Sequence, residues 1–231
     1  MRHNEHGQPI GPDVTGWTTP ARPDHATMLG QYARLEPLAT AHTDDLFAAF
    51  AADASGAMWT YMPNGPFPER DAFRAWLAKA STSHDPLFFA IIDQMTGRAL
   101  GFASFLRIDP AVGVIEVGFI AMSPALQKTR IATEAMYLMM AHAFDLGYRR
   151  YEWKCDALNA ASRAAAQRYG FTYEGTFRQA TMYKGRNRDT AWFSMLDHEW
   201  PKVKAGFAAW LDADNFDTDG QQNTRLDVRI K

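Results

Sequence analysis

A single cysteine, Cys155, stands in 231 residues. An internal disulfide is therefore excluded, and so is a zinc site built on several thiolates. Charge of one sign is lacking too: 24 basic and 26 acidic side chains leave a formal net charge of −2. That balance gives no general attraction to nucleic acid or to an anionic membrane. No apolar run approaches the roughly 20 residues a membrane helix needs. Met1-Arg2-His3-Asn4-Glu5-His6-Gly7 lacks the apolar core of a secretory signal. The seven histidines show no metal spacing. These absences point to a cytoplasmic protein that uses no metal, no membrane and no nucleic-acid partner.

What is present suits a buried core: 47% of the residues are apolar and 13% aromatic. The length fits one large domain better than two very small ones. Residues 1–27, rich in Gly, Pro, His and Thr without a sustained period, read as an N-terminal arm. Residues 28–212 read as the single domain. Residues 213–231 are polar and read as a flexible tail.

Within the domain, Tyr32 to Glu36 alternates like a short strand. Thr40 can cap a helix carrying Leu46, Phe47 and Phe50, and a second helix spans about 69–81. Met62 to Pro68 must be a loop, because it holds three prolines and a glycine. Three strands follow, over 87–92, 100–108 and 112–122, the first apolar throughout as if covered on both faces. A long helix over about 130–146 ends at Gly147, suited to a left-handed cap. Strand 150–155, helix 159–168, strands 172–183 and 190–196 and a last helix over about 199–211 complete the series. This order predicts a mixed α/β fold with helices on both faces of the sheet.

Four segments then carry a family resemblance: Glu116-Val117-Gly118-Phe119-Ile120; Leu126 to Ala135; Asn159-Ala160-Ala161-Ser162; and Tyr169 to Gly175. In this order and spacing the chain resembles the Gcn5-related N-acetyltransferases, and most of all the branch of the ribosomal-protein N-terminal acetyltransferases. The resemblance implies the acyl-CoA N-acyltransferase fold, a mostly antiparallel sheet with one central, splayed parallel strand pair. It implies acetyl-CoA as co-substrate and a primary amine as acceptor, either a protein N-terminus or a small molecule. A non-catalytic acyl-CoA-binding module is the alternative, and a homodimer through the final hairpin and tail stays open.

The pyrophosphate of CoA suits the N-terminus of the long helix, where free N–H groups and the macrodipole favour an anion. By resemblance the cradle is Gln127, Lys128, Thr129, Arg130, Ile131, Ala132 and Thr133. Taken alone, this segment reads rather as an ordinary strand–helix connection with two solvated basic residues. Arg130 departs from the family, which has a glycine there, so it either adds a phosphate contact or crowds the site. The pantetheine arm is implied to pair with backbone near Phe119, Ile120 and Ala121.

Glu116, in an apolar strand, is the candidate general base, since an unpaired carboxylate there resists ionisation. It reads otherwise as a carboxylate facing solvent or paired with an arginine. The tyrosine acid of many family members is missing: its position is Ala166, and Tyr169 faces elsewhere on the helix. Ser162 matches the serine of the related branch and could protonate the leaving thiolate, or merely satisfy backbone groups at the helix start. Asn159 is a helix cap, a CoA contact, or both. Trp59 and Tyr61 precede the loop that lines the acceptor pocket in the family, though core packing accounts for them equally well. Cys155 reads as a small buried hydrophobe.

Overall fold

The computed structural model describes residues 1–228. Strands β1 (Arg2–His3) and β2 (Pro9–Ile10) make a small separate hairpin in the arm. The domain then runs β3 (Met28–Leu29), β4 (Ala33–Pro37), α1 (Thr43–Ala51), α2 (Arg70–Ala80), β5 (Leu87–Asp93), β6 (Ala99–Asp109) and β7 (Val114–Met122). It continues with α3 (Arg130–Asp145), β8 (Arg150–Asp156), α4 (Ala160–Arg168), β9 (Thr172–Tyr183), β10 (Arg186–Leu196) and α5 (Trp200–Leu211).

Eight strands form one sheet in the order β3-β4-β5-β6-β7-β8-β10-β9. Every neighbouring pair is antiparallel except β7 and β8. Strand β5 shows why the sheet needs two covers. Its residues point alternately to opposite faces, and all seven are buried. Leu87, Phe89 and Ile91 join a core with Met136, Met139 and Met140 of α3 and Phe207 of α5. Phe88, Ala90 and Ile92 join a second core with Leu46 and Phe50 of α1 and Phe73 and Leu77 of α2. The expected mixed sheet, parallel pair and helices on both faces are therefore present.

The arm lies over the end of the sheet where α3 finishes: Trp17 Nε1 donates to the Gly147 carbonyl at 3.0 Å, and Arg22 Nη1 to the Ile108 carbonyl at 3.0 Å. Three expectations need correction. Thr40 does not cap α1; it opens a 3₁₀ turn over Thr40–His42, and the helix begins at Thr43. Strand β10 begins at Arg186 rather than Thr190, because Arg186, Asn187 and Arg188 pair with Tyr183, Met182 and Thr181. Only Lys184 and Gly185 remain as the turn, both left-handed (φ 49° and 69°), as a tight hairpin requires. Finally, the tail read as flexible is folded back on α5 as far as Val228, and residues 229–231 lie outside the described residues. Trp210 Nε1 donates to Gln222 Oε1 at 2.8 Å, and Val228 is buried. Gly206 makes this possible, since a Cβ there would stand 2.4 Å from the Asp227 carbonyl oxygen. Polarity misled here because the tail packs through a few apolar side chains and its own backbone.

Candidate active site

The parallel ladder between β7 and β8 is short. It runs from Val114–Arg150 to Val117–Trp153 and stops. Beyond that point Gly118, Ala121 and Met122 pair only with β6, and Lys154, Cys155 and Asp156 only with β10. Two facing strand edges thus carry unpaired backbone groups across a wedge. The cause is a bulge: Ser104 pairs with Gly118 and Phe102 with Ala121, so Phe119 and Ile120 oppose a single residue of β6. Phe119 takes φ 48°, an uncommon conformation for an aromatic residue. Its ring is held by Phe88, centroid to centroid 5.4 Å. Phe119, Ile120 and Ala121 therefore line the open edge of β7.

At the mouth of the wedge stands the first turn of α3. Thr129 is its N-cap, with the hydroxyl oxygen accepting from the Ala132 N–H at 3.1 Å, while the Thr133 N–H bonds the Thr129 carbonyl. The N–H groups of Lys128, Arg130 and Ile131 have no acceptor among the described residues. Lys128, in a left-handed conformation (φ 62°), presents its N–H beside the helix end, and its ammonium is exposed and unpaired among the described residues. Gln127 turns its side chain back, Nε2 donating to the Met122 carbonyl at 2.9 Å. Arg130 does not fill the cradle. Its guanidinium lies over the Tyr32 ring at 4.3 Å and the Phe216 ring at 5.3 Å, so only its backbone is offered at the helix end. Three free N–H groups, one cation and a helix dipole fit a diphosphate.

Glu116 is buried at the base of the wedge, directly opposite Glu152 in the parallel register. Lys154 Nζ stands 2.9 Å from Glu116 Oε2 and 2.6 Å from Glu152 Oε2, and Arg107 Nε stands 3.4 Å from Glu116 Oε2. The Lys154 contacts are charge pairs, not aligned hydrogen bonds. Burial pushes the Glu116 carboxyl above its ordinary range, and the cations Lys154 and Arg107 act against that rise. Burial would lift Glu152 as well, but Lys154 and Arg150 hold it below the usual value. Arg150 in turn clasps Glu174 with two hydrogen bonds of 2.8 and 2.6 Å. Glu116 is thus neither solvent-facing nor paired with arginine alone.

Ser162 sits on the α4 side of β8. Its oxygen accepts from Trp153 Nε1 at 3.0 Å. Asn159 is the cap of α4, accepting from the Ser162 N–H at 3.0 Å, which leaves its amide NH₂ unengaged among the described residues. Tyr169 is buried against Trp153 and Phe207, and Ala166 is fully buried. Cys155 is buried, and that burial pushes its thiol up.

Trp59 and Tyr61 part company. Trp59 is a member of the core under α1 and α2, its ring edge-on to Phe50 and Phe67. A cleft of about 380 Å³ beside it is lined by Phe47, Phe50, Phe67 and Phe73, and Glu116 is not part of it. Tyr61 is half-buried, and its hydroxyl donates to the Leu158 carbonyl at 3.2 Å, bridging the α1–α2 loop to the end of β8. The same loop is latched by the hairpin tip. Lys184 Nζ donates to the Trp59 carbonyl at 2.7 Å and Arg186 Nη2 to the Thr60 carbonyl at 2.6 Å. Nearby, Tyr183 donates its hydroxyl to Asp156 Oδ2 at 2.7 Å; burial and that bond push the phenol up to about 12.

Sequence reasoning missed Lys154, Arg107 and Glu152. The period-2 row Arg150, Glu152, Lys154 on one strand was a usable signal. Its relation to Glu116 depends on the parallel register, which no local pattern carries. Among the described residues no group of His, Cys, Asp and Glu could hold a metal ion, and no helix is long and apolar enough to cross a membrane.

Comparison with known proteins places this geometry. Residues 33–172, more than half of the chain, match the family model of the acetyltransferase (GNAT) domain. A crystallised GCN5-related N-acetyltransferase from Brucella melitensis is 49% identical, with a TM-score of 0.90 over 92% of this chain and 97% of that one. A GNAT-family protein from Chromobacterium violaceum ATCC 12472, named as a probable acetyltransferase, is 45% identical, with a TM-score of 0.78 over 84% and 98%. The apo RimL ribosomal L7/L12 alpha-N-protein acetyltransferase is 20% identical, with a TM-score of 0.64 over 78% and 99%, a likeness of fold alone. No curated protein matches the chain. With the wedge, the helix cradle and these likenesses in agreement, the chain belongs to the GNAT family of acetyltransferases.

Proposed function

We propose that this chain transfers an acetyl group from acetyl-CoA to a primary amine, by direct attack of the amine within a ternary complex. The observation that carries this reading is the halt of the β7–β8 ladder at Val117–Trp153, next to three free N–H groups at the start of α3. The exposed edge of β7 can pair with an amide-bearing arm as an added strand does. The cradle of Gln127 to Thr133 would receive the diphosphate through its backbone, with Lys128 adding charge.

An amine arrives mostly as ammonium and must lose a proton before its lone pair can attack the thioester carbon. Glu116 accepts that proton, directly or through a water. As the new C–N bond forms and the C–S bond breaks, the departing thiolate takes up a proton. Ser162 relays it: its hydroxyl gives a proton to the leaving sulfur as it takes up, through water, the proton shed by the attacking nitrogen, so the serine ends neutral. Backbone N–H groups of the splayed strand are placed to stabilise the oxyanion, and holding amine and thioester together supplies much of the rate. Tyr61 and the latched loop would bound the acceptor side.

The acceptor class is a protein N-terminal amine or a small-molecule amine. Because the Arg130 side chain leaves the cradle open, nothing at that position favours a non-catalytic CoA-binding module. Strand β9 is an exposed sheet edge with Phe177 and Met182 at the surface, the place where a second copy would pair. The test is thiol release from acetyl-CoA over a panel of primary amines. Wild type is expected to turn over, and Glu116→Gln to lose on the order of 10²–10⁴-fold in kcat/KM. Tight CoA binding with no turnover, and no effect of Glu116→Gln, would sink the reading.

A further inference from the structure

The sequence reading gave Lys154 no role, and the mechanism above does not use it. Its position is unusual. A lysine side chain only 6% exposed is held between two buried carboxylates, 2.9 Å from Glu116 and 2.6 Å from Glu152. On a third side the ammonium lies 3.7 Å from the centre of the Trp192 ring, which closes it from water. A buried lysine with so many counterparts is costly to build and is rarely needed for stability alone.

The contacts are also one-sided. Both Lys154 and Arg107 reach Oε2 of Glu116, and that oxygen is fully enclosed. Oε1 lies instead toward Gly118, where even a methyl group would stand 3.6 Å from it. Gly118 is also the first β7 residue past the end of the parallel ladder. The carboxylate is thus gripped by one oxygen, and the other lies beside Gly118, past the end of that ladder.

We propose that Lys154 is the positioning residue for Glu116: it grips Oε2 of that carboxylate within an apolar wall and so leaves Oε1 turned toward Gly118, where the parallel ladder has ended, while Glu152 shares the lysine and tempers its pull. This rests on the reading of Glu116 as the base. The charged groups facing the pair are Arg107 from β6, Glu152 and Lys154 from β8, and, one step further, Arg150 and Glu174. Their signs set opposite consequences for two substitutions. Removing the Lys154 charge leaves burial and Glu152 unopposed except by Arg107, so Glu116 holds its proton to higher pH. Removing the Glu152 charge gives Lys154 wholly to Glu116, which then loses its proton at lower pH.

The experiment is a carboxyl ¹³C NMR titration of the full chain labelled at its eight glutamates, with the Glu116 signal assigned by its absence in Glu116→Gln. Lys154→Met is expected to raise the Glu116 midpoint by about one to three pH units. Glu152→Gln is expected to lower it, and Lys154→Arg to leave it near wild type. In the amine panel, the acidic limb of kcat/KM should move with the NMR midpoint. An unmoved midpoint in folded Lys154→Met overturns the proposal. If Lys154→Met does not fold, Glu152→Gln decides: a midpoint that stays or rises overturns it equally. The two readings fail separately. A midpoint that shifts as expected while Glu116→Gln keeps full kcat/KM would leave the charge arrangement standing and remove the base.

Discussion

Glu134 offers the sharpest test of how the cradle is held in place. This residue of the first turns of α3 is buried, and its carboxylate accepts three backbone hydrogen bonds from the entry to β4. Oε1 accepts from the Gln31 N–H at 2.8 Å; Oε2 accepts from those of Tyr32 and Ala33, both at 2.6 Å. Glu134→Gln keeps shape and volume but turns one acceptor into a donor. The amide oxygen can serve two of the three N–H groups; the NH₂ then faces the third, donor against donor. One buried N–H left unsatisfied costs about 1–3 kcal/mol, and the two surviving bonds lose their charge assistance. The expected loss is about 3 kcal/mol, or a fall in Tm of roughly 6–12 °C for a chain of this length. Urea unfolding followed by circular dichroism measures it. Gly30 supplies a second arm of the test, because a Cβ there would lie 2.5 Å from the Glu134 carboxyl carbon. Gly30→Ala should destabilise wild type clearly but cost little in a Glu134→Ala background, a coupling that a double-mutant cycle reads directly. A loss below about 0.5 kcal/mol for Glu134→Gln, or additive costs in the cycle, would refute this reasoning.

Two further outcomes follow from groups near the site. Thr129→Ala removes the cap bond to the Ala132 N–H and should cost about 1 kcal/mol; isothermal titration should show weaker CoA binding but not its loss, since the three free N–H groups remain. Glu174→Gln tests the outer end of the charge row. The Arg150 guanidinium holds the Glu174 carboxyl below its ordinary value, with burial opposing and Ser194 helping. A lowered folded value stabilises above the unfolded value, near 4.3, and the benefit vanishes as pH falls through the folded one. The variant should therefore be less stable than wild type at neutral pH, with the gap in urea midpoint closing below about pH 4.

Most elements were legible because their signals are local. The unbroken apolar run of β5, the glycine after α3 and the alternation in β4 each follow from backbone period or φ alone. What escaped depends on partners far along the chain. Phe119 takes a left-handed conformation only because a bulge against β6 requires it, and nothing in Gly118-Phe119-Ile120 announces that. Arg130, in place of a glycine, reads from sequence as either a phosphate contact or a crowding group; its side chain is instead drawn aside by the rings of Tyr32 and of Phe216, the latter 86 residues later in the polar tail. The significance of Lys154 lies in Glu116, 38 positions earlier, and only the parallel register sets the two side by side. Trp59 lies in the core, while Tyr61, two residues on, is half-buried and bonds the Leu158 carbonyl.

The latch across the α1–α2 loop has a consequence for which positions can vary. Both of its bonds end on main-chain oxygens, those of Trp59 and Thr60, and such oxygens exist whatever residue is present. The loop can therefore exchange side chains without loosening its own closure. The hairpin is the more constrained side, since each bond needs a long side chain with a donor at its end, here Lys184 and Arg186. Variation in the loop's side chains is thereby separated from the fastening that holds its main chain.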